Sequence, residues 1–127
     1  MTPDQLASHA LTAELASCGN LFHRWQWSLS SSSNYSALLN EETIVISQSG
    51  VDKQRMKSSD FMLVDLEGSP LEGYRSVRPS AETELHCHAY RVAKKRDLPV
   101  KAVLHTHSKY AVYYSRRLAK AGVISFS

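Results

Sequence analysis

Two histidines separated by a single residue, His105 and His107, carry the clearest chemical signal in the sequence. The segment 100–107 that contains them predicts a strand, and side chains at positions i and i+2 of a strand lie on the same face. Two imidazoles on one face can bind one ion, and imidazole suits Zn²⁺ and similar first-row metals. Ordinary histidines show this spacing as well, so at this stage both interpretations stay open.

Glu82 lies on a predicted helix just before that strand. Its carboxylate is a candidate metal ligand or acid/base group, and equally a charge that interacts with the helix dipole. His86 follows one helical turn later, so we expect contact with Glu82 and a structural hydrogen bond rather than metal ligation. His88 points to another face and is expected to be exposed.

Three short segments rich in serine and glycine resemble anion-binding turns, where hydroxyls and backbone amides cluster. Each segment alone is more often an ordinary turn. Beside a pair of histidines they indicate a phosphorylated substrate held next to a metal ion. The segments are residues 32–36, Ser49-Gly50 and Ser80-Ala81.

The elements that must position these residues follow from hydrophobic periodicity and turn residues. Helices are predicted at 3–25, with Gly19 as a candidate break, from a cap at Ser80 to the basic run 94–96, and at 108–121. Strands are predicted at 43–47, 61–65 and 100–107, a loop at 28–34, and a hairpin about the turn 67–70. In the second helix, Leu85, Ala89 and Val92 form the expected apolar face. This order predicts an α/β sandwich with a mainly antiparallel or mixed sheet.

Size and composition indicate one globular domain over residues 1–127, with 43% hydrophobic residues and a net charge of +3. The basic runs at 94–96 and 116–117 are not interleaved with aromatic residues, which argues against nucleic-acid binding. No apolar run is long enough to span a membrane. Cys18 and Cys87 are unpatterned, and the N-terminus does not resemble a signal peptide. We therefore expect free thiols and a cytoplasmic location.

Five motifs occur here in the order and spacing found in the class II aldolase/adducin family, which the chain resembles from about residue 5 to about residue 118. Residues 27–29 (Trp-Ser-Leu) and the Ser-Gly-x-Asp-Lys form are most similar to the dehydratase branch of that family. The motifs are Ser-Ser-Asn-Tyr-Ser at 32–36, Ser-Gly-Val-Asp-Lys at 49–53, Asp-Phe-Met-Leu-Val-Asp at 60–65, Arg-Pro-Ser-Ala-Glu-Thr at 78–83 and His-Thr-His-Ser at 105–108.

This resemblance implies an α/β/α fold around a mostly antiparallel sheet, assembled as a homotetramer with active sites between subunits. It implies that His105 and His107 are two of three zinc ligands and that Glu82 is the acid/base residue at the metal. It also implies a phosphorylated ketose as substrate. The positions that match the family's phosphate site are Asn34, Ser49, Gly50, Ser80 and Ala81. Lys53 belongs to the dehydratase-like motif without an assigned role.

The implied reaction is an elimination, in which zinc polarises the ketone and a base removes the neighbouring carbon-bound proton. The next hydroxyl then leaves as water, and the enol becomes a diketone. Two alternatives share the same residues: an aldolase or epimerase of sugar phosphates, and a non-catalytic, adducin-like assembly module.

The sequence departs from the family pattern in two respects. Ser33 stands where the family has a glycine before the loop asparagine, which alters a turn where glycine permits close approach. The third zinc histidine and a further acid/base glutamate of the dehydratases lie beyond the segment that the chain matches. We therefore expect the chain to correspond to the N-terminal two-thirds of such an enzyme.

Overall fold

A four-stranded antiparallel sheet forms the centre of the protein, of which the computed structural model describes residues 1–29 and 31–122. The strands are β1 (Asn34–Leu38), β2 (Thr43–Ser47), β3 (Phe61–Asp65) and β4 (Ala102–His105). Their order in the sheet is β3-β2-β1-β4, and each neighbouring pair is antiparallel. The sheet therefore joins β1 to β4 directly, although 63 residues separate Leu38 from Ala102 in the numbering.

Strands β2 and β3 have the predicted bounds because their apolar and β-branched residues fill the buried centre of the sheet. Strand β4 is shorter than predicted and ends at His105. Strand β1 was not predicted, because its serine and asparagine are typical of a loop. It pairs with β2 on one side and with β4 on the other, and these ladders supply hydrogen-bond partners for its backbone. The hairpin expected about the turn 67–70 is reduced to one isolated bridge between Val64 and Pro70.

The N-terminal helical region divides at a different place from the one predicted. Helix α1 (Pro3–Ala7) and helix α2 (Ala10–Arg24) are separated at Ser8 and His9, where the His9 side chain accepts a hydrogen bond from the Leu11 amide. Gly19 lies inside α2 and does not break it. A Cβ at this position would lie 2.6 Å from Met56 Sδ and 3.0 Å from Tyr35 Cε2. Glycine therefore allows α2 to approach the sheet closely.

Helix α3 (Thr83–Lys95) begins later than predicted, because Ser80 lies in the preceding turn and Glu82 is the N-cap. The expected apolar face was wrong: Leu85 is 55% exposed, whereas His86 and Tyr90 are buried. These polar side chains turn inward because β1 presents hydroxyl and amide groups to them. His88 is exposed, as expected.

The alternation of side chains along β1 defines the layers of the fold. Tyr35 faces α2, with its ring 5.8 Å from that of Phe22. Ser36 faces the other way and contacts Tyr90 of α3. The sheet thus lies between α2 and α3, which confirms the α/β/α sandwich.

The remaining helix, α4 (Lys109–Arg117), lies at the surface with all of its residues exposed. Ser108 caps it by accepting a hydrogen bond from the Ala111 amide. It is shorter than predicted, and a 3₁₀ turn (Ala119–Ala121) follows it. Among residues 1–29 and 31–122, no helix has the length and apolar character needed to cross a membrane. Cys18 and Cys87 are free thiols, as expected.

Candidate functional site

Three elements bring Asn34, Glu82 and His105 together. Asn34 begins β1 and His105 ends β4, and the antiparallel register places the two residues directly opposite each other. Glu82 is the N-cap of α3, which packs on the same face of the sheet. The two strand ends and the helix start therefore converge on one point, as the first and last residues of neighbouring antiparallel strands must.

The Glu82 carboxylate is held by both strand-end residues through one oxygen. Asn34 Nδ2 donates to Glu82 Oε2 at 2.6 Å, and His105 Nδ1 lies 2.6 Å from the same oxygen. The hydrogen bond from Asn34 is the largest cause that lowers the pKa of Glu82, and the hydrogen bond from His105 adds to it, against the opposing effect of burial. Glu82 is therefore held as the carboxylate, which is the proton-accepting form.

His105 and His107 lie side by side, as their spacing predicted. Their ring centroids are 4.5 Å apart and the rings are inclined at 51°. His107 follows the end of β4, and its backbone amide donates to the Trp27 carbonyl at 2.7 Å. Because an ionised carboxylate only accepts hydrogen bonds, His105 Nδ1 carries the hydrogen that faces Glu82. This arrangement leaves Nε2 of His105 as the nitrogen available to a ligand.

A buried polar group lies behind this cluster. His86 is fully buried and makes a structural hydrogen bond, as expected, but its partners are Ser36 and Asn34 rather than Glu82. Burial lowers the pKa of His86 to about 4, so its ring is neutral near pH 7. Sequence analysis placed Ser36 in a candidate anion-binding segment and did not predict its hydrogen bond with His86. Asn34 and Ser36 are two positions apart on β1, so their side chains lie on the same face of the sheet. Assigning this segment as a strand would have placed Ser36 beside Asn34.

The three serine-rich turns meet at one cavity of about 420 Å³. Asn34, Ser49, Gly50, Ser80, Ala81, Glu82 and His107 all line it, together with Ser31, Ser32, Ser33, Gln48 and Lys53. His105 is not among the lining residues, but its side chain is hydrogen-bonded to Glu82, which is. The residues that sequence analysis selected from separate motifs therefore lie around a common space.

Backbone bonds tie two of these turns together. The Ser49 amide donates to the Arg78 carbonyl at 2.9 Å, and the Ser80 amide donates to the Ser47 carbonyl at 3.2 Å. These two amides are therefore occupied within the protein. The side-chain hydroxyls of Ser49 and Ser80 remain as the donors that these residues offer to an anion.

Lys53 supplies a cationic group to the same cavity. It is 1% exposed, and its Nζ donates to the Val51 carbonyl at 2.9 Å. Burial lowers the pKa of the Lys53 ammonium, opposed by the charges of Asp52 and Asp60. An ammonium that is poorly solvated and has unused donors is suited to an anionic ligand such as a phosphate.

Ser33 occupies the position where the sequence departs from the family's glycine. Its φ is 84°, in the left-handed region that favours glycine. The serine therefore keeps the backbone conformation that a glycine would adopt, at a cost in strain. The substitution of serine for glycine was expected to alter the turn, but the backbone of Ser33 keeps the left-handed conformation.

The donor types of the cluster fit zinc, since two imidazoles lie together and one of them is hydrogen-bonded to a carboxylate. Their number does not complete a site: across the described ranges, no three His, Cys, Asp or Glu side chains form a group able to hold a metal ion. His105 and His107 would therefore supply only part of a ligand set, and a metal ion would need a further donor.

The model of the class II aldolase and adducin N-terminal domain matches residues 13–126 of the sequence. The chain belongs to the class II aldolase and adducin family. The match extends beyond residue 118, where the resemblance was expected to end, and it includes all five motifs.

Curated members of this family resemble the chain closely in sequence. Methylthioribulose-1-phosphate dehydratase of Sorangium cellulosum is 37% identical over 118 residues, which are 93% of this chain and 53% of that protein. The dehydratase of Xanthomonas campestris pv. campestris is 44% identical over 98 residues, 77% of this chain and 42% of that protein. The chain thus spans about half the length of these relatives, a smaller share than the two-thirds expected.

Solved structures of class II aldolase proteins share the fold. L-fuculose-1-phosphate aldolase from Thermus thermophilus superposes with a TM-score of 0.65 and 27% identity, covering 81% of this chain and 49% of that one. The Escherichia coli protein YgbL gives a TM-score of 0.72 at 24% identity, covering 84% and 48% of the two chains. The α/β/α architecture expected from the resemblance is confirmed.

Proposed function

We propose that the protein takes part in the zinc-dependent dehydration of 5-methylthioribulose 1-phosphate to 2,3-diketo-5-methylthiopentyl 1-phosphate, a step of L-methionine salvage. One observation carries this proposal: Glu82, His107 and the serine-rich turns line one cavity, and His105 is hydrogen-bonded to Glu82. The choice of substrate is supported by the similarity to methylthioribulose-1-phosphate dehydratases, which are 37% and 44% identical to the chain.

In this proposal the hydroxyls of Ser49 and Ser80 and the ammonium of Lys53 hold the substrate phosphate at one end of the cavity. His105 and His107 would hold zinc together with a further donor. When bound, zinc would polarise the substrate ketone and make the neighbouring C–H bond more acidic. Fixing the phosphate orients that C–H bond towards the carboxylate, which lowers the entropic part of the barrier.

Glu82 is the proposed proton acceptor. Its lowered pKa keeps it ionised, and the bonds from Asn34 and His105 fix its position. The carboxylate takes the proton from the carbon beside the ketone, and the hydroxyl on the following carbon leaves as water after gaining a proton. The remaining enol becomes the second ketone, so the product is a diketone and one water molecule.

An aldolase is the second candidate, favoured by the structural match to L-fuculose-1-phosphate aldolase. It would use the same metal and phosphate sites, with Glu82 as the proton-transfer residue. The two reactions differ in the bond that breaks. An aldolase cleaves a carbon–carbon bond and releases dihydroxyacetone phosphate, whereas the dehydratase retains the carbon chain.

The deciding experiment supplies the purified protein and zinc with methylthioribulose 1-phosphate or L-fuculose 1-phosphate and identifies the products by NMR. Diketone formation without carbon–carbon cleavage is expected. Formation of dihydroxyacetone phosphate would replace the proposal with the aldolase. No turnover of either substrate by the protein would contradict catalysis and favour a non-catalytic assembly module.

We also propose that residues 1–127 act as one class II aldolase-like domain within a cytoplasmic homotetramer. Exposed apolar side chains on α4, among them Tyr110, Val112 and Tyr113, support self-association. Light scattering at several protein concentrations tests the assembly. A monomer at all concentrations would contradict it.

A further inference from the structure

A continuous chain of hydrogen bonds runs from the buried side of α3 to the Glu82 carboxylate. Tyr90 OH lies 2.7 Å from Ser36 Oγ, and Ser36 Oγ lies 2.6 Å from His86 Nδ1. On the other side of the ring, His86 Nε2 lies 2.5 Å from Asn34 Oδ1. The Asn34 amide then donates to Glu82 at 2.6 Å. Every link joins β1 to α3 or to its N-cap.

The carboxylate at one end determines the direction of every bond. Because Glu82 only accepts, the NH₂ group of Asn34 must face it, and the Asn34 oxygen must then face His86. That oxygen also only accepts, so the hydrogen of the neutral His86 ring lies on Nε2.

The same logic continues beyond the ring. His86 Nδ1 carries no hydrogen and accepts from the Ser36 hydroxyl, whose oxygen accepts in turn from Tyr90. Only one arrangement of hydrogens satisfies all these groups.

Burial makes this arrangement rigid. His86 and Ser36 are 0% exposed and Tyr90 is 2% exposed, so water does not compete for these bonds. An unsatisfied polar group at such a position is costly, and a partly satisfied network is unstable. The buried hydrogen bonds therefore hold the His86 ring in place, and the ring in turn holds the Asn34 side-chain amide.

We propose that His86 is a positioning residue, which keeps the Asn34 amide turned with its NH₂ group towards Glu82, while the Ser36 hydroxyl fixes the tautomer of the ring. The orientation of Asn34 follows from the structure alone. Its consequence for catalysis rests on the proposed function. Without His86, the Asn34 oxygen loses its donor, and the amide is free to turn its oxygen towards the carboxylate and repel it.

The test is ¹⁵N and ¹H NMR of the whole chain, which requires no activity. The His86 ring is expected as the Nε2–H tautomer, and the Asn34 side-chain NH₂ as hydrogen-bonded. In His86→Phe the Asn34 NH₂ signals should lose their hydrogen-bonded shift. In His86→Gln they should keep it, because a glutamine amide both donates to Asn34 and accepts from Ser36.

Tyr90→Phe is the matched control, since it removes a hydroxyl from the same buried region and leaves the Ser36 bond to His86 in place. The Asn34 signals should stay unchanged in this variant. A ring protonated on Nδ1, or Asn34 signals unaffected by His86→Phe, would overturn the proposal. If His86→Phe does not fold, the tautomer of the unsubstituted protein and the His86→Gln spectrum still decide.

Catalytic measurements separate this proposal from the proposed function. In an active protein, kcat is expected to fall about 10- to 100-fold in His86→Phe and to recover in His86→Gln, with KM changed much less. Equal loss of kcat in both variants would contradict positioning by hydrogen bonds. An unsubstituted protein without dehydratase activity would contradict the proposed function, and the NMR result would remain the test of His86.

Discussion

Asn34 and Glu82 are 48 positions apart in the sequence, and a 2.6 Å hydrogen bond joins the amide of one to the carboxylate of the other. This bond is the main cause of the lowered pKa of Glu82. It links the first residue of β1 to the N-cap of α3. The carboxylate proposed to take the substrate proton is therefore kept ionised by a residue that the family resemblance assigned to phosphate binding.

Replacement of Glu82 by glutamine tests its role as proton acceptor. The amide has nearly the same shape but is not a base, so kcat should fall by about 10²- to 10⁴-fold. Glu84→Gln is the matched control, because Glu84 lies on the same helix and is exposed beside Arg91. Steady-state kinetics with the phosphorylated ketose measure both variants. Equal activity in Glu82→Gln and Glu84→Gln would refute the assignment.

Replacement of Lys53 by methionine should separate stability from anion binding. Burial lowers the pKa of Lys53, so its charge destabilises the folded state at neutral pH, and this penalty diminishes as pH rises towards 10.5. Lys53→Met should therefore raise the free energy of unfolding at pH 7 while weakening inorganic phosphate binding tenfold or more. Urea unfolding and calorimetric titration measure the two effects. Lys57→Met, at an exposed lysine, should change neither. Phosphate binding unaltered in Lys53→Met would contradict the cationic role.

Ser33→Gly should stabilise the protein. Ser33 has a φ of 84°, and a non-glycine residue in this region costs on the order of 1 kcal/mol. Glycine removes that strain, although it increases the entropy of the unfolded chain. Urea unfolding should show a gain of up to about 1 kcal/mol. Ser32→Gly, one residue earlier, serves as the comparison and should not stabilise. A loss of stability in Ser33→Gly would show that the strain is small.

The unfolding free energy should depend on pH through His86. Its pKa is about 4 in the folded protein and 6.5 in the unfolded chain, so the unfolded chain binds a proton first as the pH falls. Stability is therefore complete above about pH 6.5 and decreases towards pH 4, by at most about 3 kcal/mol. Glu82, whose pKa lies below 4.5, contributes a further loss only at lower pH.

Urea unfolding between pH 7 and pH 4.5 measures this dependence in three proteins. The slope should be smaller in His86→Gln than in the unsubstituted chain. It should be unchanged in His88→Gln, because His88 is exposed. An identical slope in all three would show that His86 is not the group responsible.

Local sequence patterns predicted much of the fold. Strands β2 and β3 were predicted at their observed bounds because β-branched and apolar residues dominate them. The proximity of His105 and His107 was predicted from their spacing on a strand, and their rings are neighbours although β4 ends at His105. The meeting of the serine-rich turns at one cavity was expected from the family resemblance rather than from any single turn.

The buried polar network could not be predicted, because its partners lie far apart in the chain. Ser36 and His86 contact each other across 50 positions, and each looks like a surface residue when its neighbours alone are considered. This pairing explains two errors together. β1 resembled a loop, and the face of α3 containing Leu85 was taken as the buried one. Hydrogen bonds between residues distant in sequence determine both the strand β1 and the buried face of α3.

Zinc binding tests the central claim most directly, namely that His105 and His107 form a metal site beside Glu82. Isothermal titration of the apoprotein with Zn²⁺ should show one ion bound per chain. The affinity should be lost in the His105→Ala, His107→Ala double variant and retained in His88→Ala. No binding by the unsubstituted protein, or equal binding by the double variant, would contradict the account.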